Sequence, residues 1–301
     1  EVAPSKHVNA IEFNTIVSLA SDLKAHPMSM GNMADTRALE PMSSFNDPYA
    51  KYQWNLHNSG DEAIAKTARE GADVGVLDAW KLCAGSPDVI VAVLDGPVQY
   101  THPDLAAAMW VNEAELNGVE GVDDDGNKYV DDIYGYNFCA VGNSNAMYGT
   151  LEPGDHGTHV AGVIAAVNGN GIGVHGIAGG RYPDKGVQIM CLQSISDEDG
   201  SSDYPRILQY AAENGAVISQ NSWGYLGANH TPQVDKIAID YFTEFAGTDK
   251  YGNQADDHAG AQDHGVQFVR AVTAHHEPLE PHTKFTHAKI FLAFNILLLL
   301  Y

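Results

Sequence analysis

Cysteine and positive charge are both scarce in this sequence. Its 301 residues include only three cysteines, Cys83, Cys139 and Cys191, and none of them stands in a CxxC pair. This odd, widely spaced set indicates neither a disulfide framework nor a zinc site, and it favours small buried apolar residues. Lys and Arg total 16 against 39 Asp and Glu, a formal net charge of −23. Because nucleic-acid binding depends on basic patches that neutralise phosphate, the balance argues against a nucleic-acid partner.

Long apolar runs are missing too. The longest, from residue 290 to residue 301, is interrupted by Asn295 and is too short to span a bilayer, so no membrane span is predicted. The sequence begins with Glu1 and shows no secretory signal, which we interpret as a processed form or a fragment. A hydrophobic content of 44% over this length allows one large domain or two small ones.

The pattern of the sequence divides the chain into three parts. Residues 1–45 have weak hydrophobic periodicity and are interpreted as a leader or linker. Residues 46–254 alternate apolar runs with helical patterns, which predicts a parallel sheet with helices packed on it. The predicted strands are 89–94, 187–192 and 216–219, and the predicted helices are 157–167, 206–214 and a segment from Thr231 to about Phe245.

Beyond Gln254 this alternation ends. Residues 255–301 contain six of the 14 histidines, at irregular spacing, and no serine follows Ser222. We interpret the segment as an atypical His-rich tail, out of frame or disordered, and assign it no metal-binding role.

Two segments contain residues suited to catalysis. VIVAVLDGP places Asp95 directly after the first predicted strand, and DHGTHVAG places His156 at the start of a helix of small residues. Active sites of open α/β sheets lie beyond the carboxyl ends of the strands, where Asp95 is expected. A histidine that removes a hydroxyl proton needs a carboxylate to hold its tautomer. Singly, Asp95 could be a turn residue and His156 a helix-start residue; together they indicate nucleophilic catalysis.

With GAVISQNSWGY at 215–225, these segments resemble the subtilisin-like serine peptidases, or subtilases, over residues 46–254. The resemblance implies an α/β three-layer sandwich with a parallel sheet, incomplete at its C-terminal side. It also implies an endopeptidase in which Asp95 orients the histidine and His156 is the general base. Gly157 is expected to allow close approach of chain to substrate. Pro97 stands where the family usually has glycine, so the loop after Asp95 is expected to differ in detail.

The resemblance further implies a polypeptide substrate and a secreted or cell-surface location. Subtilases bind their substrate as an added β-strand between two extended segments. The matching segments are Ser222-Trp223-Gly224 and Gly200-Ser201-Ser202. For the first, a tryptophan before glycine needs a pocket or a core to fill. For the second, an ordinary polar loop with a helix cap is an equal alternative.

Structural calcium is the cofactor that the resemblance implies. The segment 168–174 is similar to the subtilase calcium loop but is one residue longer. The implied oxygen ligands are the side chains of Asp104 and Asn170 and the backbone carbonyls of Ile172 and Val174.

A second acidic run offers oxygen atoms at alternate positions. Asp123, Asp125 and Asn127 match the opening of an EF-hand loop, which would require Gly at the sixth position and Glu at the twelfth, and both are lacking. A solvated acidic turn is an equal alternative to a calcium site.

A zinc site is a rival interpretation of DHGTH. His156 and His159 lie three residues apart and could share a helix face with Asp155 nearby. A catalytic zinc usually needs a third ligand and an acidic base within the motif, and Gly157 and Thr158 supply neither. A metallohydrolase is therefore the less favoured class.

Two parts of a subtilase are absent from the sequence. One is a strand ending in Gly-Asn that stabilises the oxyanion, and the other is the Gly-Thr-Ser turn that presents the nucleophile. We find no nucleophile and expect the chain to be inactive as a peptidase, with truncation, frameshift or a gene-boundary error near Gln254 as our hypothesis. The alternative function is a non-catalytic, calcium-stabilised peptide-binding domain. No pattern indicates an oligomeric state.

Overall fold

The three apolar runs predicted as strands lie side by side in one parallel sheet. The structure, a computed structural model, describes residues 17–19, 46–64, 66–81, 83–139, 155–195, 203–225, 232–247 and 267–270. The strands are β1 (Val17–Leu19), β2 (Ile90–Asp95), β3 (Gly135–Asn137), β4 (Gly180–Arg181), β5 (Asp184–Lys185), β6 (Gln188–Gln193), β7 (Ile218–Asn221), β8 (Trp223–Tyr225) and β9 (Gln267–Arg270). The α-helices are α1 (Val76–Ala79), α2 (Glu113–Leu116), α3 (Asp155–Ala165), α4 (Tyr204–Glu213) and α5 (Gln233–Phe245).

Strand β2 is the centre of the main sheet. Within the described residues this sheet has the order β3-β6-β2-β7-β9, and every neighbouring pair is parallel. At the carboxyl end of β2, Asp95 pairs with Gln193 of β6, and Leu94 pairs with Asn221 of β7. The central position gives β2 a neighbouring strand on each side, and Asp95 at its end is fully buried.

Helices cover both faces of the sheet. Successive residues of a strand point to opposite faces, and β2 follows this rule because Ala92 and Leu94 pack in one apolar cluster while Val91 and Val93 pack in another. The first cluster includes buried residues of α4 and α5, and the second includes buried residues of α3. The predicted α/β three-layer sandwich with a parallel sheet is thus confirmed.

Local signals explain the limits of α4. Asp203 caps the helix by accepting a hydrogen bond from the backbone N–H of Arg206, and Pro205 lies in its first turn, where no N–H is needed. Gly215, with φ of +84°, follows the last turn and adopts the left-handed backbone that glycine tolerates. A capping side chain of this kind contributes about 1 kcal/mol to helix stability.

The predicted strands and helices agree with the observed ones to within about two residues. No strand was predicted at the remaining six, β1, β3, β4, β5, β8 and β9, which are all short. Strand β9 lies beyond Gln254 and extends the sheet next to β7. The domain boundary at Gln254 stays a prediction. Of the helices that the structure describes, none combines the length and apolar character that crossing a membrane requires.

Candidate functional site

Asp95 and His156 meet at the carboxyl edge of the sheet, although 61 residues separate them in sequence. Asp95 Oδ1 lies 2.6 Å from His156 Nδ1 and also accepts a hydrogen bond of 2.7 Å from the backbone N–H of Gly96. The side chain of Asp95 is buried, and that of His156 keeps 14% of its surface exposed. The strand and the helix therefore present one imidazole to solvent with its Nδ1 side turned toward a buried carboxylate.

Gly157 and Thr158 connect the first turn of α3 to the loop after Asp95. A Cβ added at Gly157 would lie 2.3 Å from the carbonyl oxygen of Gly96 and 2.8 Å from that of Pro97. Thr158 Oγ1 accepts a hydrogen bond of 2.8 Å from the backbone N–H of Gln99. The close approach that Gly157 allows is thus to the loop after Asp95, where the sequence analysis expected an approach to substrate.

Burial is the main influence on the charge of this pair. It raises the pKa of Asp95, while the hydrogen bonds from His156 and Gly96 oppose the increase. Within the described residues, Asp95 Oδ2 is buried and has no hydrogen-bond partner. Since a carboxylate only accepts hydrogen bonds, His156 Nδ1 must carry the proton, which makes Nε2 the basic nitrogen. The arrangement is chemically able to remove a proton from a hydroxyl.

The segment predicted as one substrate wall borders this pair. Trp223 is 5% exposed and its indole N–H donates a hydrogen bond of 3.0 Å to the carbonyl of Leu94, next to Asp95. Its ring also meets Tyr204 edge-on at 4.7 Å. The tryptophan side chain therefore fills the core and ties β8 to β2. Ser222 is fully buried and its hydroxyl accepts from the amide of Gln220.

Strand β8 has an antiparallel partner from the N-terminal segment. Val17 pairs with Tyr225, Ser18 with Gly224, and Leu19 with Trp223. The edge of β8, which belongs to the predicted substrate wall, thus pairs with an extended segment. The other predicted wall, Gly200-Ser201-Ser202, lies outside the described residues.

The predicted calcium loop folds around Asp104. Asp104 is 1% exposed; its Oδ1 accepts a hydrogen bond from the Asn170 amide at 2.8 Å and its Oδ2 accepts one from the Val174 N–H at 3.0 Å. Asn170 Oδ1 in turn accepts from the Ile172 N–H at 2.8 Å. A Cβ at Gly173 would come within 2.1 Å of Asp104 Oδ2, so only glycine lets the loop close on this carboxylate. The structure thus brings the side chains of Asp104 and Asn170 to the N–H groups of Ile172 and Val174, and the carbonyls of these two residues stay predicted ligands.

Asp47 is a fifth member of this group that the sequence analysis missed. Its two carboxylate oxygens accept hydrogen bonds from the N–H groups of Gly171, at 2.8 Å, and Gly169, at 2.6 Å. Burial raises the pKa of Asp104, and the negative charge of Asp47 raises it further. Asp47 lies 122 residues before Gly169, and no motif links the two segments, so its Asp-Pro sequence gave no usable signal.

The second acidic run also gains a residue from elsewhere. Glu115 of α2 is 4% exposed, and its carboxylate lies with those of Asp123 and Asp125 so that their oxygens are within 4.8 Å of one another. Glu115 accepts hydrogen bonds from the backbone N–H groups of residues 124, 125 and 131. A buried glutamate from outside the acidic run thus lies beside it. Asn127 donates its amide to Asp125 and to buried Asp132.

This acidic group also bears on the zinc interpretation. Across the part of the chain that the structure describes, Glu115, Asp123 and Asp125 are the only set of three or more His, Cys, Asp or Glu close enough to share an ion. Within that part, no third ligand joins His156 and His159. The structure therefore adds no support for a metallohydrolase.

A sequence model of the subtilase family matches residues 86–283, two thirds of the chain. The chain belongs to the subtilase family. The match includes both Asp95 and His156 and continues 29 residues past Gln254.

Individual subtilases are similar over shorter shares of their length. Subtilisin-like protease 1 of Plasmodium berghei is 36% identical over 154 residues, which are 51% of this chain and 23% of that protein. The cell wall-associated protease of Bacillus subtilis is 30% identical over 214 residues, 68% of this chain and 20% of that protein. The chain thus spans under a quarter of the length of these two relatives. The serine protease of Aeromonas sobria shares 23% identity with a TM-score of 0.47, over 73% of this chain and 32% of that one.

Proposed function

We propose that this chain carries the Asp–His part of a subtilisin-type serine endopeptidase that acts on polypeptides. The observation that supports it is the 2.6 Å contact between Asp95 Oδ1 and His156 Nδ1 at the carboxyl edge of a parallel sheet. In this role Asp95 holds the imidazole and stabilises its charged form. His156 Nε2 takes the proton of a serine hydroxyl as the oxygen attacks the peptide carbonyl, and then gives that proton to the leaving amine.

We further propose that the 301-residue chain does not supply the nucleophile for this reaction. The sequence has no Gly-Thr-Ser segment and no Gly-Asn after a strand in its last 47 residues. Ser194, Ser219 and Ser222 are fully buried in the sheet region. Burial raises the pKa of the Cys191 thiol to about 12, which keeps it protonated and unreactive.

Fluorophosphonate labelling tests this proposal. We expect no covalent labelling of the intact chain at neutral pH, because the probe reports only a serine that a histidine activates. An active serine protease labelled in parallel is the positive control, and mass spectrometry of the intact chain is the readout. A chain that gains one probe mass, and loses that gain in His156→Ala, would show that an activated nucleophile is present and overturn the proposal.

A peptide-binding domain without catalysis is the second candidate function. It is favoured by the antiparallel pairing of β1 with β8, since a strand edge that accepts one extended segment has the geometry to accept another. Fluorescence anisotropy with an extended, labelled peptide separates the two candidates. Binding without labelling supports the binding domain.

Calcium is proposed as the structural cofactor of the loop at 168–174. The residues fit the ion because Asp47 and Asp104 bring two buried carboxylates to one loop, and a hard divalent cation offsets their repulsion. Side-chain oxygens of Asp47, Asp104 and Asn170 and the carbonyls of Ile172 and Val174 would hold it. When bound, the ion supplies charge neutralisation that rigidifies the chain directly after α3, the helix of His156.

A second calcium ion is proposed at Asp123, Asp125 and Asn127, together with Glu115. The proposal is supported by the convergence of three carboxylates within 4.8 Å of one another. We also propose secretion or display at the cell surface, where calcium is abundant; the Bacillus subtilis relative is named a cell wall-associated protease.

Calcium is expected to stabilise the folded chain through Asp104. At free calcium 100-fold above the dissociation constant, binding adds about 2.7 kcal/mol to the free energy of unfolding. Asp104→Asn is expected to lose the calcium stabilisation that comes from the loop site. Asp240→Asn, which replaces an exposed carboxylate on α5, should keep it. Urea unfolding with calcium and with a chelator measures the difference. Equal calcium stabilisation in wild type and Asp104→Asn would contradict the loop site.

A further inference from the structure

A buried histidine lies against Asp47 at the end of the proposed calcium loop. His175 Nε2 is 2.9 Å from Asp47 Oδ2, and both side chains are fully buried. His175 follows Val174 directly, yet neither the sequence motifs nor the proposed chemistry assigns it a role. A buried polar group of this size persists only where its contacts offset the cost of removing it from water.

The surroundings of His175 fix its position. Its backbone N–H donates a hydrogen bond of 2.7 Å to Gln53 Oε1, and the Gln53 amide donates one of 2.8 Å to its carbonyl. The indole ring of Trp80 lies edge-on to the imidazole with 5.6 Å between centroids. Trp80 is itself held by a hydrogen bond of 2.8 Å from its indole N–H to the Ile177 carbonyl. The imidazole is thus set by side chains from two segments that precede the sheet.

The Asp47 carboxylate has neighbours on both the loop side and the histidine side. Its oxygens already accept the N–H groups of Gly169 and Gly171, which determine how far the carboxylate reaches into the loop. His175 Nε2 adds a third contact to this carboxylate, at Oδ2. The buried imidazole is therefore a fixed neighbour of the carboxylate, beside the two N–H groups, and limits its rotation.

We propose that His175 is a positioning residue that sets the calcium affinity of the 168–174 loop by orienting Asp47. The inference rests on the proposed calcium site at that loop. Residues that orient a metal-binding side chain commonly change metal affinity by 10- to 100-fold when they are replaced. An apolar residue at this position would preserve the packing against Trp80 and leave the carboxylate without its lateral contact.

Calcium titration of the full chain tests the role of His175. After calcium removal, isothermal titration calorimetry on wild type and Asp104→Asn identifies the loop site as the transition that Asp104→Asn loses. We expect His175→Leu to weaken calcium binding at that site about 10- to 100-fold. His175→Gln keeps an N–H donor and is expected to retain most of the affinity. His57→Leu, at an exposed histidine in the segment that contains Asp47 and Gln53, is the control and should bind calcium as wild type does.

The free energy of unfolding in chelator separates positioning from packing. If His175 acts only in packing, His175→Leu will be less stable without calcium while its calcium affinity is unchanged, and the inference is then wrong. If His175→Leu does not fold, His175→Phe, which is also apolar, takes its place: a loss of calcium affinity in His175→Phe supports the proposal, and wild-type affinity in that variant refutes it. If wild type and Asp104→Asn bind calcium identically, there is no calcium site at the loop. This result differs from a loop site whose affinity does not change when His175 is replaced.

Discussion

Replacing Gly157 with alanine is expected to lower the free energy of unfolding by about 3 kcal/mol, the upper end of the usual cost of overpacking. The added Cβ would lie 2.3 Å from the Gly96 carbonyl oxygen, and backbone atoms cannot move aside as the end of a flexible side chain can. Either the loop after Asp95 or the first turn of α3 must shift. Because that shift separates the loop from the helix, the contact between Asp95 and His156 should lengthen as well.

Gly162 provides a matched control in the same helix. A Cβ at Gly162 would meet no atom within 4 Å, so alanine there should raise the free energy of unfolding by up to about 1 kcal/mol, the difference in helix propensity. Urea unfolding of both variants gives the free energies, and NMR of the His156 imidazole reports the contact. Similar free energies for the two variants would show that the loop yields to a methyl group and that Gly157 is not required for the approach.

Asp132 is expected to make the chain less stable as pH rises from about 4 to 6. Asp132 is fully buried, and burial raises its pKa from 3.8 to about 6, although Tyr210, Asn127 and Asn112 all donate hydrogen bonds to it. A carboxyl group with a higher pKa in the folded state binds its proton more tightly when folded. Its contribution to stability is therefore largest below pH 4 and is lost as pH rises to 6, by about 3 kcal/mol in total.

The difference between wild type and Asp132→Asn isolates this contribution. Free energies of unfolding measured between pH 4 and 7 in chelator should converge or cross, because the amide does not titrate and wild type alone loses the 3 kcal/mol. Chelator is needed because a calcium ion near Asn127 would favour the charged carboxylate. The free energy of unfolding of Asp240→Asn, a control on α5, should change with pH as that of wild type does. A constant offset between wild type and Asp132→Asn would mean that Asp132 is charged throughout.

Local patterns in the sequence were sufficient for the central strands, the longer helices and the pair of Asp95 and His156. The apolar run of β2 is continuous because both faces of the strand are buried, and α4 carries a cap, a proline and a terminal glycine in the expected order. Asp95 ends β2 and His156 lies in the first turn of α3, so the carboxyl edge of the parallel sheet brings them together.

Residues whose partners lie in other segments of the chain could not be predicted in the same way. Asp47 and Glu115 reach their acidic groups from segments with no periodicity of their own, and their burial depends on hydrogen bonds to backbone N–H groups far along the chain. Strands β1 and β8 have three residues each, too few for an alternation to be recognised. Gly157 was recognised as a site of close approach, but only tertiary structure identifies Gly96 and Pro97 as what it approaches.

The pairing of β1 with β8 would make the proposed peptide recognition at this edge a competition within one molecule. A tethered segment of this kind acts at an effective concentration on the order of millimolar, whatever the concentration of the protein. A free peptide must outcompete that local concentration before it occupies the same strand edge. A single cut in the chain between Leu19 and Asn46 would turn the tethered competitor into one that dissociates and is diluted away. The affinity of this edge for other peptides would then rise without any change in the residues that form it.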